Sequence, residues 1–245
     1  MKHRRFFLTP ASFRGAEVTF PAPQAHQLLR VLRLRPGDHV TALDGSGREY
    51  EVEITELRPE VAHGRIVAER HGGGEPRARL FLYQALLKGD AFESVLRRCT
   101  ELGVSCFVPV LCDRSVAVAP SQLRLDRWRE IVREAAEQSL RSCLPAVSEP
   151  LPFADACRLA EGVRLLLWEG AGGRGVREAL AATLAAHERP VSLFVGPEGG
   201  LAPNELSAAR SAGLELVSLG PRILRAENAG TAAVTLILHE IGELS

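Results

Sequence analysis

The sequence predicts an α/β protein in which a small β-rich module precedes a larger domain with a mostly parallel sheet. Two observations predict these parts: short strands with turn signals fill about the first 70 residues, and apolar strands alternate with helices after Pro76. Between them the string His71-Gly72-Gly73-Gly74-Glu75-Pro76 matches neither pattern and is typical of a linker. We therefore expect one domain at residues 1–72 and a second at 77–245.

The clearest element of the first module is a β-hairpin. Tyr50, Val52 and Ile54 alternate with polar residues, which is the period-two pattern of a half-buried strand. The turn sequence Asp44-Gly45-Ser46-Gly47 connects this strand to an earlier one over residues 39–43. Residues 61–68 give a further strand, so the module is expected to be a small sheet or barrel.

The second domain alternates strands with helices. Its strands are predicted at residues 80–85, 104–110, 163–168, 191–195 and 214–219. Its helices are predicted at 91–102, where Gly103 ends the helix, around Trp128, near 176–187, at 203–212 and from about 227 to 243. Because the strands are apolar and helices separate them, we expect a mostly parallel sheet covered on both faces.

Composition excludes several classes of protein. The chain has 245 residues, of which 46% are hydrophobic and 24% charged, so it can build a core and is not intrinsically disordered. No run approaches the roughly 18 apolar residues of a membrane span, and we expect a cytoplasmic protein. The five cysteines form no C-x-x-C pair and the seven histidines do not cluster, so neither disulfides nor a metal site is expected.

Charge is unevenly distributed, although the 30 basic and 30 acidic residues cancel. The segment from Lys2 to Arg35 carries seven basic residues and a single acidic one, Glu17. This excess fits a phosphate-binding surface and a solvated basic face equally well. Lys2 and Lys88 are the only lysines of the chain, a bias that reflects genome composition more than function, although arginine does suit contacts to phosphates and base edges.

Three glycine-rich loops follow strands of the second domain, at the strand ends where ligands bind in open α/β sheets. They are residues 168–173, 196–200 and 220–228. None has dinucleotide-binding or Walker spacing, and each carries a carboxylate that would repel a phosphate: Glu169, Glu198 and Glu227. A ligand with a cationic centre fits better, and S-adenosylmethionine, with its sulfonium, is one such ligand. For any single loop, a tight turn without a ligand is the alternative.

Two of these loops resemble those of a known family. The string Phe194-Val195-Gly196-Pro197-Glu198-Gly199-Gly200-Leu201, followed by Glu205, resembles the GPEGG loop of the RsmE family of ribosomal RNA methyltransferases. The string from Leu219 to Glu227 resembles a second family loop. Further similar motifs are found from His26 to Asp38, at Lys88-Gly89-Asp90, from Thr100 to Val104, and from Glu134 to Ser139 with Arg141 and Pro145.

The chain departs from the family at two positions. Asn228 stands where the family usually has a threonine, and it keeps a hydrogen-bonding side chain. Ala202 stands where a serine or threonine usually precedes the helix, so that helix lacks a capping oxygen and is expected to lose stability without any change in chemistry.

The resemblance implies a SPOUT-type α/β trefoil-knot methyltransferase domain, preceded by a PUA-like barrel that binds RNA. It implies S-adenosylmethionine as the cofactor, a homodimer to which the apolar last helix is a candidate contributor, and 16S rRNA, within the 30S subunit, as the partner. The implied reaction is methylation of N3 of a uridine. Alternatives are a non-catalytic RNA-binding protein that keeps the fold and a SPOUT methyltransferase that acts on another rRNA position.

The implied reaction requires a proton acceptor and stabilisation of charge, because the imide nitrogen of uracil must lose its proton before it can attack. Arg225 is expected to donate to a uracil oxygen as negative charge develops. Glu227 is expected either to orient Arg225 or to accept the proton. The alternative is that Arg225 and Glu227 form a structural ion pair at the start of a helix.

The remaining candidate residues form two sets. The cofactor is expected to contact Trp168, Glu169, Gly170, Val195, Gly196, Pro197, Glu198, Gly199, Gly200, Leu219, Gly220, Ile223, Leu224 and Arg225. RNA is expected to contact Arg4, Arg5, His26, Arg30, Arg33, Lys88, Arg141 and Arg222. Side chains at Gly196, Gly199 and Gly200 would block close approach of the backbone to the cofactor, so Gly199→Val is expected to weaken cofactor binding.

Overall fold

The computed structural model describes residues 4–170, 173–181 and 190–244, which form two compact units. The N-terminal unit holds the residues up to Glu75 together with Ala136–Leu144. The C-terminal unit holds Pro76–Ala135 and the residues from Pro145 onward. This grouping differs from the division expected from the sequence in residues 136–144, which lie far along the chain but belong with the N-terminal unit.

The N-terminal unit is a six-stranded sheet with the order β1-β4-β5-β6-β3-β2. Its strands are β1 (Arg5–Phe7), β2 (Phe13–Arg14), β3 (Glu17–Pro21), β4 (His39–Leu43), β5 (Arg48–Leu57) and β6 (Val61–His71). The hairpin of β4 and β5 is present as predicted, with Val40 opposite Val52. Of the inward residues of the alternating pattern, Val52 and Ile54 are buried together with Phe6 and Phe20, and Tyr50 is partly buried against them. A short helix, α1 (Ala22–His26), continues into one π-helical turn over Gln27–Val31.

The C-terminal unit contains one sheet of eight strands, and all of its described pairs are parallel. The strands are β7 (Leu80–Ala85), β8 (Cys106–Leu111), β9 (Ala146–Val147), β10 (Leu151–Pro152), β11 (Val163–Leu167), β12 (Arg174–Gly175), β13 (Val191–Val195) and β14 (Glu215–Ser218). Their order is β10-β8-β7-β13-β11-β14-β12, and β9 pairs with β8. The predicted parallel sheet is confirmed.

Helices follow most of these strands. They are α2 (Ala91–Leu102), α3 (Gln122–Gln138), α4 (Phe153–Leu159), α5 (Val176–Ala181), α6 (Pro203–Ser211) and α7 (Ala226–Glu240). Gly103 ends α2 at a φ of 114°, in the left-handed region that glycine adopts without strain. The helix expected near 176–187 is described to residue 181, and its remainder lies outside the described residues. Helix α4 was not predicted from the sequence. Within the described ranges, no helix is long and apolar enough to span a membrane.

The sheet has a core on each face because its strands alternate their side chains between two helical layers. Leu82 and Leu193 lie in one core, together with residues of α2 and α7. Tyr83 and Phe194, one residue further along β7 and β13, lie in the other, where their rings stack with centroids 4.2 Å apart. The neighbours β13, β11 and β14 run in the same direction, so their carboxyl ends lie side by side at one edge of the sheet.

The start of α6 shows how the missing capping oxygen is partly replaced. Ala202 is the N-cap, with backbone angles suited to capping but no side-chain oxygen. The buried carboxylate of Glu205 accepts hydrogen bonds from the N–H of Ala202 (2.7 Å) and from the N–H of Asp113 (2.9 Å). One half of a capping box is therefore present, and the other half, an oxygen at position 202 for the Glu205 N–H, is lacking.

Ala202→Ser is expected to stabilise the C-terminal unit by about 1 kcal/mol, because the new hydroxyl would supply the missing half of the capping box. The urea midpoint of the cofactor-free chain, followed by tryptophan fluorescence, measures this change, since Trp128 and Trp168 both lie in that unit. Ala208→Ser, inside α6, is the control and should not stabilise the unit, because a serine hydroxyl within the helix has no free N–H group to cap. A lower midpoint for Ala202→Ser would contradict the prediction.

Candidate active site

The edge where β11, β13 and β14 end opens into a cavity of about 660 Å³. Its walls are the three loops that follow these strands and the first residues of α2 and α7. The lining residues are Lys88, Ala91, Leu167, Trp168, Glu169, Val195, Gly196, Pro197, Glu198, Gly200, Leu201, Val217, Ser218, Leu219, Gly220, Pro221, Arg222, Ile223, Leu224, Arg225, Ala226, Glu227 and Ala229. The parallel sheet thus brings together three loops that are far apart in sequence.

The structure brings nearly all of the predicted cofactor residues to this cavity; Gly170 and Gly199 are the exceptions. A Cβ atom at Gly170 would collide with the indole of Trp168, at 2.4 Å from its Nε1. At Gly199 a Cβ atom would lie 3.0 Å from the carbonyl oxygen of Arg114. Packing within the protein therefore restricts side chains at these two positions, and the expected effect of Gly199→Val on cofactor binding stays a prediction.

Six ionisable side chains line the cavity, and their formal charges cancel. The carboxylates are Glu169, Glu198 and Glu227, one from each loop, and the cations are Lys88, Arg222 and Arg225. Apolar residues at the strand ends, such as Leu167, Val195 and Val217, form the base of the cavity. Val195 was predicted from the sequence to contact the cofactor, whereas Leu167 and Val217 were not, although their positions next to the loops could have indicated them.

Two hydrogen bonds fix the loop at 196–200, one to Lys88 and one within the loop itself. Its Glu198 carboxylate accepts a hydrogen bond from the backbone N–H of Lys88, with 3.0 Å between N and Oε1. Gly200 closes a turn by donating its N–H to the carbonyl of Pro197 at 2.9 Å, and it adopts a φ of 69°. A Cβ atom at Gly200 would make an ordinary van der Waals contact, 3.7 Å from a Glu169 carboxylate oxygen, so the backbone conformation alone demands glycine there.

Gly200→Val is expected to lower the affinity for S-adenosylmethionine about tenfold or more, because valine resists the left-handed conformation and the loop that lines the cavity must change shape. Isothermal titration calorimetry on the folded variant measures this. Gly213→Val is the matched control: Gly213 has a φ of 76° and free space around its Cβ position, but it does not line the cavity. Equal losses of affinity in the two variants would contradict the prediction.

Arg225 and Glu227 lie where the last loop enters α7. Arg225 is the N-cap residue, and its carbonyl accepts hydrogen bonds from the N–H groups of Asn228 and Ala229 at 2.9 and 2.8 Å. Its side chain is exposed on the cavity wall, whereas Glu227 is half-buried in the first turn, near the positive end of the helix dipole. Within the described part of the chain no ion pair joins them, so the alternative of a structural pair is not observed.

The residues predicted to contact RNA are found in three situations. His26, Arg30 and Arg33 are exposed on the N-terminal unit, around the π-helical turn. Arg4 is also exposed there and lies 3.9 Å from the Asp38 carboxylate. Lys88 and Arg222 line the cavity of the C-terminal unit. These placements are compatible with RNA contacts, and they stay predictions.

Arg5 and Arg141 form the third group of predicted RNA contacts. Their assignment as RNA contacts is wrong, because both side chains are buried. Arg5 is 9% exposed and pairs with Glu49 through Nη2 and Oε1 at 2.6 Å. Arg141 is 4% exposed and pairs with Glu75 through Nη2 and Oε2 at 2.6 Å. Both arginines satisfy buried carboxylates inside the N-terminal unit, and neither is accessible to a phosphate.

The segment 71–76 is likewise a packed part of the N-terminal unit as far as Glu75, and its interpretation as a free linker is wrong. The Glu75 carboxylate accepts the N–H groups of Ser142 and Cys143 at 2.9 and 3.0 Å. A Cβ atom at Gly72 would come within 1.8 Å of the Ser142 hydroxyl oxygen, so glycine is required there by close packing. Of the three glycines, Gly72 is the one that lets residues 136–144 lie against this segment, since Gly73 and Gly74 have no neighbour within 4 Å of a Cβ position.

Glu49 is the centre of the buried network of Arg5, Glu49 and Ser142. One carboxylate oxygen contacts Arg5 and the Ser142 hydroxyl, and the other accepts from Nε of Arg70 at 3.0 Å. Hydrogen bonds from Arg5 above all, and also from Ser142 and Arg70, together lower the pKa of Glu49 to about 2 from an ordinary value of 4.5, in opposition to burial. The carboxylate therefore stays charged at every physiological pH.

Comparison with known proteins gives consistent matches. A family model described as an RNA methyltransferase domain matches residues 74–238, and one described as an RNA methyltransferase PUA domain matches residues 20–67. A curated relative from Synechocystis sp., ribosomal RNA small subunit methyltransferase E, is 40% identical over 95% of this chain and 76% of its own length. The protein of that name from Mycobacterium tuberculosis is 31% identical over 94% of this chain and 88% of its own length.

Two solved structures resemble nearly the whole chain. Ribosomal RNA small subunit methyltransferase E from Neisseria gonorrhoeae, bound to S-adenosyl methionine, has a TM-score of 0.86 and 30% identity, and the match covers 97% of both chains. A methyltransferase from Legionella pneumophila, in complex with the cofactor SAM, has a TM-score of 0.88 and 25% identity and covers 98% of both chains. Both similarities include the two units described above.

Proposed function

This chain belongs to the ribosomal RNA small subunit methyltransferase E family, and we propose that it transfers the methyl group of S-adenosylmethionine to N3 of a uridine in 16S rRNA. The observation that carries this proposal is the cavity where three loops bring three carboxylates to one edge of the sheet, together with Arg225, which forms no ion pair within the described residues. Membership of the family confirms the predicted enzyme class, an rRNA methyltransferase. It also confirms the predicted fold class, a SPOUT-type domain with a PUA-like domain.

The cavity fits S-adenosylmethionine in size and charge. A volume of about 660 Å³ lies within the range that small-molecule sites occupy. Glu169, Glu198 and Glu227 favour a ligand with cationic groups, and the apolar strand ends suit its purine ring. We propose that the lining residues of the three loops hold the cofactor, mainly through their backbone. When bound, S-adenosylmethionine supplies a methyl group that is activated towards nucleophiles by the adjacent sulfonium.

Arg225 is placed to stabilise the charge that develops on uracil. N3 must lose a proton to become a nucleophile, and the negative charge then spreads onto the two neighbouring oxygens. Within the described residues the exposed Arg225 guanidinium forms no ion pair, so its donors are available to such an oxygen. Within the described residues no ion pair or hydrogen bond joins the side chains of Glu227 and Arg225, so no observed interaction supports a direct orienting role for Glu227.

RNA and a second subunit are the proposed macromolecular partners. The exposed His26, Arg30 and Arg33 lie within or next to the segment matched by the PUA-domain model, and their side chains are available for phosphate contacts. We propose that the substrate is 16S rRNA within the 30S subunit and that the enzyme acts as a homodimer. Of the apolar residues of α7, Val234, Ile237 and Leu238 are buried in the unit's own core, which leaves Leu236, 41% exposed, for an interface.

Mass spectrometry of 16S rRNA tests the proposed reaction. Subunits of 30S from a strain that lacks this enzyme are incubated with the chain and S-adenosylmethionine, and the RNA is digested to nucleosides. We expect one new N3-methyluridine per 16S rRNA. Methyl transfer to a carbon or a ribose oxygen would contradict the proposed reaction. Failure to bind S-adenosylmethionine by calorimetry would favour a non-catalytic RNA-binding protein, and light scattering that shows a monomer at micromolar concentration would contradict the homodimer.

A further inference from the structure

The wall of the cavity contains a lysine in a chain that otherwise uses arginine almost exclusively. Of 30 basic residues, Lys2 and Lys88 alone are lysines. Where the composition favours arginine this strongly, a lysine among the cavity residues suggests a task that a guanidinium cannot perform. Arginine keeps its proton under all conditions that proteins meet, whereas a lysine amine can release and accept one.

The backbone of Lys88 is fixed on both sides, so its side chain starts from a defined position. Its N–H donates to the Glu198 carboxylate at 3.0 Å, and its carbonyl accepts from the N–H of Ala91 at 3.3 Å. The next residue, Gly89, has a φ of 57°, and its carbonyl accepts from Nη2 of Arg124 at 3.3 Å. These contacts anchor the short connection between β7 and α2 at the rim of the cavity.

The Lys88 amine is not used by the fold. Within the part of the chain that the structure describes, it forms neither an ion pair nor a side-chain hydrogen bond, although Lys88 lines the cavity and is exposed. Most arginines of the same unit differ in this respect: Arg127 and Arg174, for example, pair with carboxylates. The backbone of Lys88 is fixed, but its amine is exposed on the wall of the cavity and is therefore available to a substrate.

We propose that Lys88 is the proton acceptor for N3 of the target uridine, an inference that rests on the proposed function. The other acceptors on the cavity wall are Glu169, Glu198 and Glu227. A neutral amine binds a proton far more strongly than a carboxylate does, so it is better matched to the weakly acidic imide of uracil. The carboxylates are in turn suited to the cationic cofactor, and Glu198 positions the Lys88 backbone.

The proposed step balances in atoms and charge. A Lys88 amine that has released its proton to solvent takes the N3 proton with its lone pair and becomes an ammonium. The electron pair left on N3 forms the bond to the methyl carbon, and the bond between that carbon and sulfur breaks with its electrons on sulfur. N3-methyluridine and S-adenosylhomocysteine result, and the ammonium returns its proton to solvent. Arg225 stabilises the uracil oxygen while N3 carries negative charge.

Single-turnover methylation of 30S subunits at saturating enzyme and cofactor tests this proposal with Lys88→Arg and Lys88→Ala. Lys88→Arg keeps the positive charge but cannot accept a proton, so both variants are expected to react about 10²-fold or more slowly than wild type. Their affinity for S-adenosylmethionine, measured by calorimetry, is expected to stay within about twofold. Added methylamine is expected to restore rate to Lys88→Ala in proportion to its concentration, and to leave Arg225→Ala unchanged.

Three results would overturn the assignment: a Lys88→Arg variant with more than about a tenth of the wild-type rate, loss of cofactor affinity in both variants, or no effect of methylamine on Lys88→Ala. The first would show that charge alone suffices, and the second would show that Lys88 holds the cofactor. Failure of the proposed function is a separate outcome, because it would be seen in the wild-type chain as the absence of N3-methyluridine.

Discussion

Replacing Arg225 by alanine is expected to lower the single-turnover rate of methylation of 30S subunits about 10²-fold or more, which is the scale of losing one preorganised donor. The reason is that the guanidinium lines the cavity and forms no ion pair within the described residues, so its donors serve the transition state and not the fold. Cofactor affinity is expected to be unchanged, because Arg225 is proposed to act on the uracil and its backbone angles suit any N-cap residue.

Arg222→Ala is the matched control for Arg225→Ala. Arg222 lies on the same loop, lines the same cavity and is equally exposed, but it is proposed to contact phosphate. Its removal should raise the enzyme concentration needed for half-maximal rate and should leave the rate at saturation nearly unchanged. A wild-type rate in Arg225→Ala, or a loss at saturation shared equally by both variants, would contradict the role given to Arg225.

Glu49→Gln is expected to destabilise the N-terminal unit by about 3 kcal/mol, because removal of one member of a buried ion pair leaves the other charge uncompensated. Arg5 is 9% exposed and would keep only neutral oxygens as partners. Hydrogen exchange of backbone amides in peptides from residues 39–71 measures this change directly. Exchange in the C-terminal unit should change far less, which separates the effect from global unfolding.

Glu51→Gln on the same strand is the control for Glu49→Gln. Its carboxylate pairs with His39 at 2.8 Å, but both side chains are about half exposed, so its loss should cost less than about 1 kcal/mol. A similar loss in both variants would show that burial of the Glu49 network does not stabilise the unit.

Acid is expected to lower the stability of the wild-type N-terminal unit because it protonates the Glu49 carboxylate. Because the folded-state pKa of Glu49 is about 2 and its ordinary value is 4.5, the stability that it contributes is fully present above about pH 4.5 and is lost as pH falls towards 2. Glu49→Gln should lose most of this dependence on pH. Hydrogen exchange of the same peptides across this range measures it, and an unchanged acid sensitivity in the variant would assign it to other groups.

Sequence predicted the features that depend on local pattern. Period-two alternation placed Tyr50, Val52 and Ile54 inside, and the apolar strands predicted a parallel sheet. The position of the site could be predicted from the parallel sheet, since loops that follow neighbouring parallel strands meet at one edge. Glu49 lies on the opposite face of β5, and the same alternation gives no reason to expect it to be buried. Its burial comes from residues 136–144, which are roughly 90 positions away and which no local pattern connects to it.

The patterns of charged residues and of glycines led to wrong predictions because neither pattern shows which distant residues pack against them. A run of basic residues gives no information on which members are buried, so Arg5 was grouped with the exposed Arg4. Glycine indicates either a special φ or a close neighbour, and the sequence does not reveal the neighbour. At Gly199 the neighbour is Arg114 and at Gly72 it is Ser142, and both are far away in the chain.

The membership of residues 136–144 in the N-terminal unit has a consequence for how the chain folds during its synthesis. After Glu75 leaves the ribosome, a further 69 residues must be added before Leu144 is available. At about 5–20 residues per second this interval lasts roughly 3–14 s, which is long compared with the folding time of most small domains. Throughout this interval, Glu49 lacks its hydrogen bond from Ser142 and Glu75 lacks its ion pair with Arg141. The N-terminal unit is therefore expected to complete its fold only after residues 136–144 emerge, although most of its sheet is synthesised earlier.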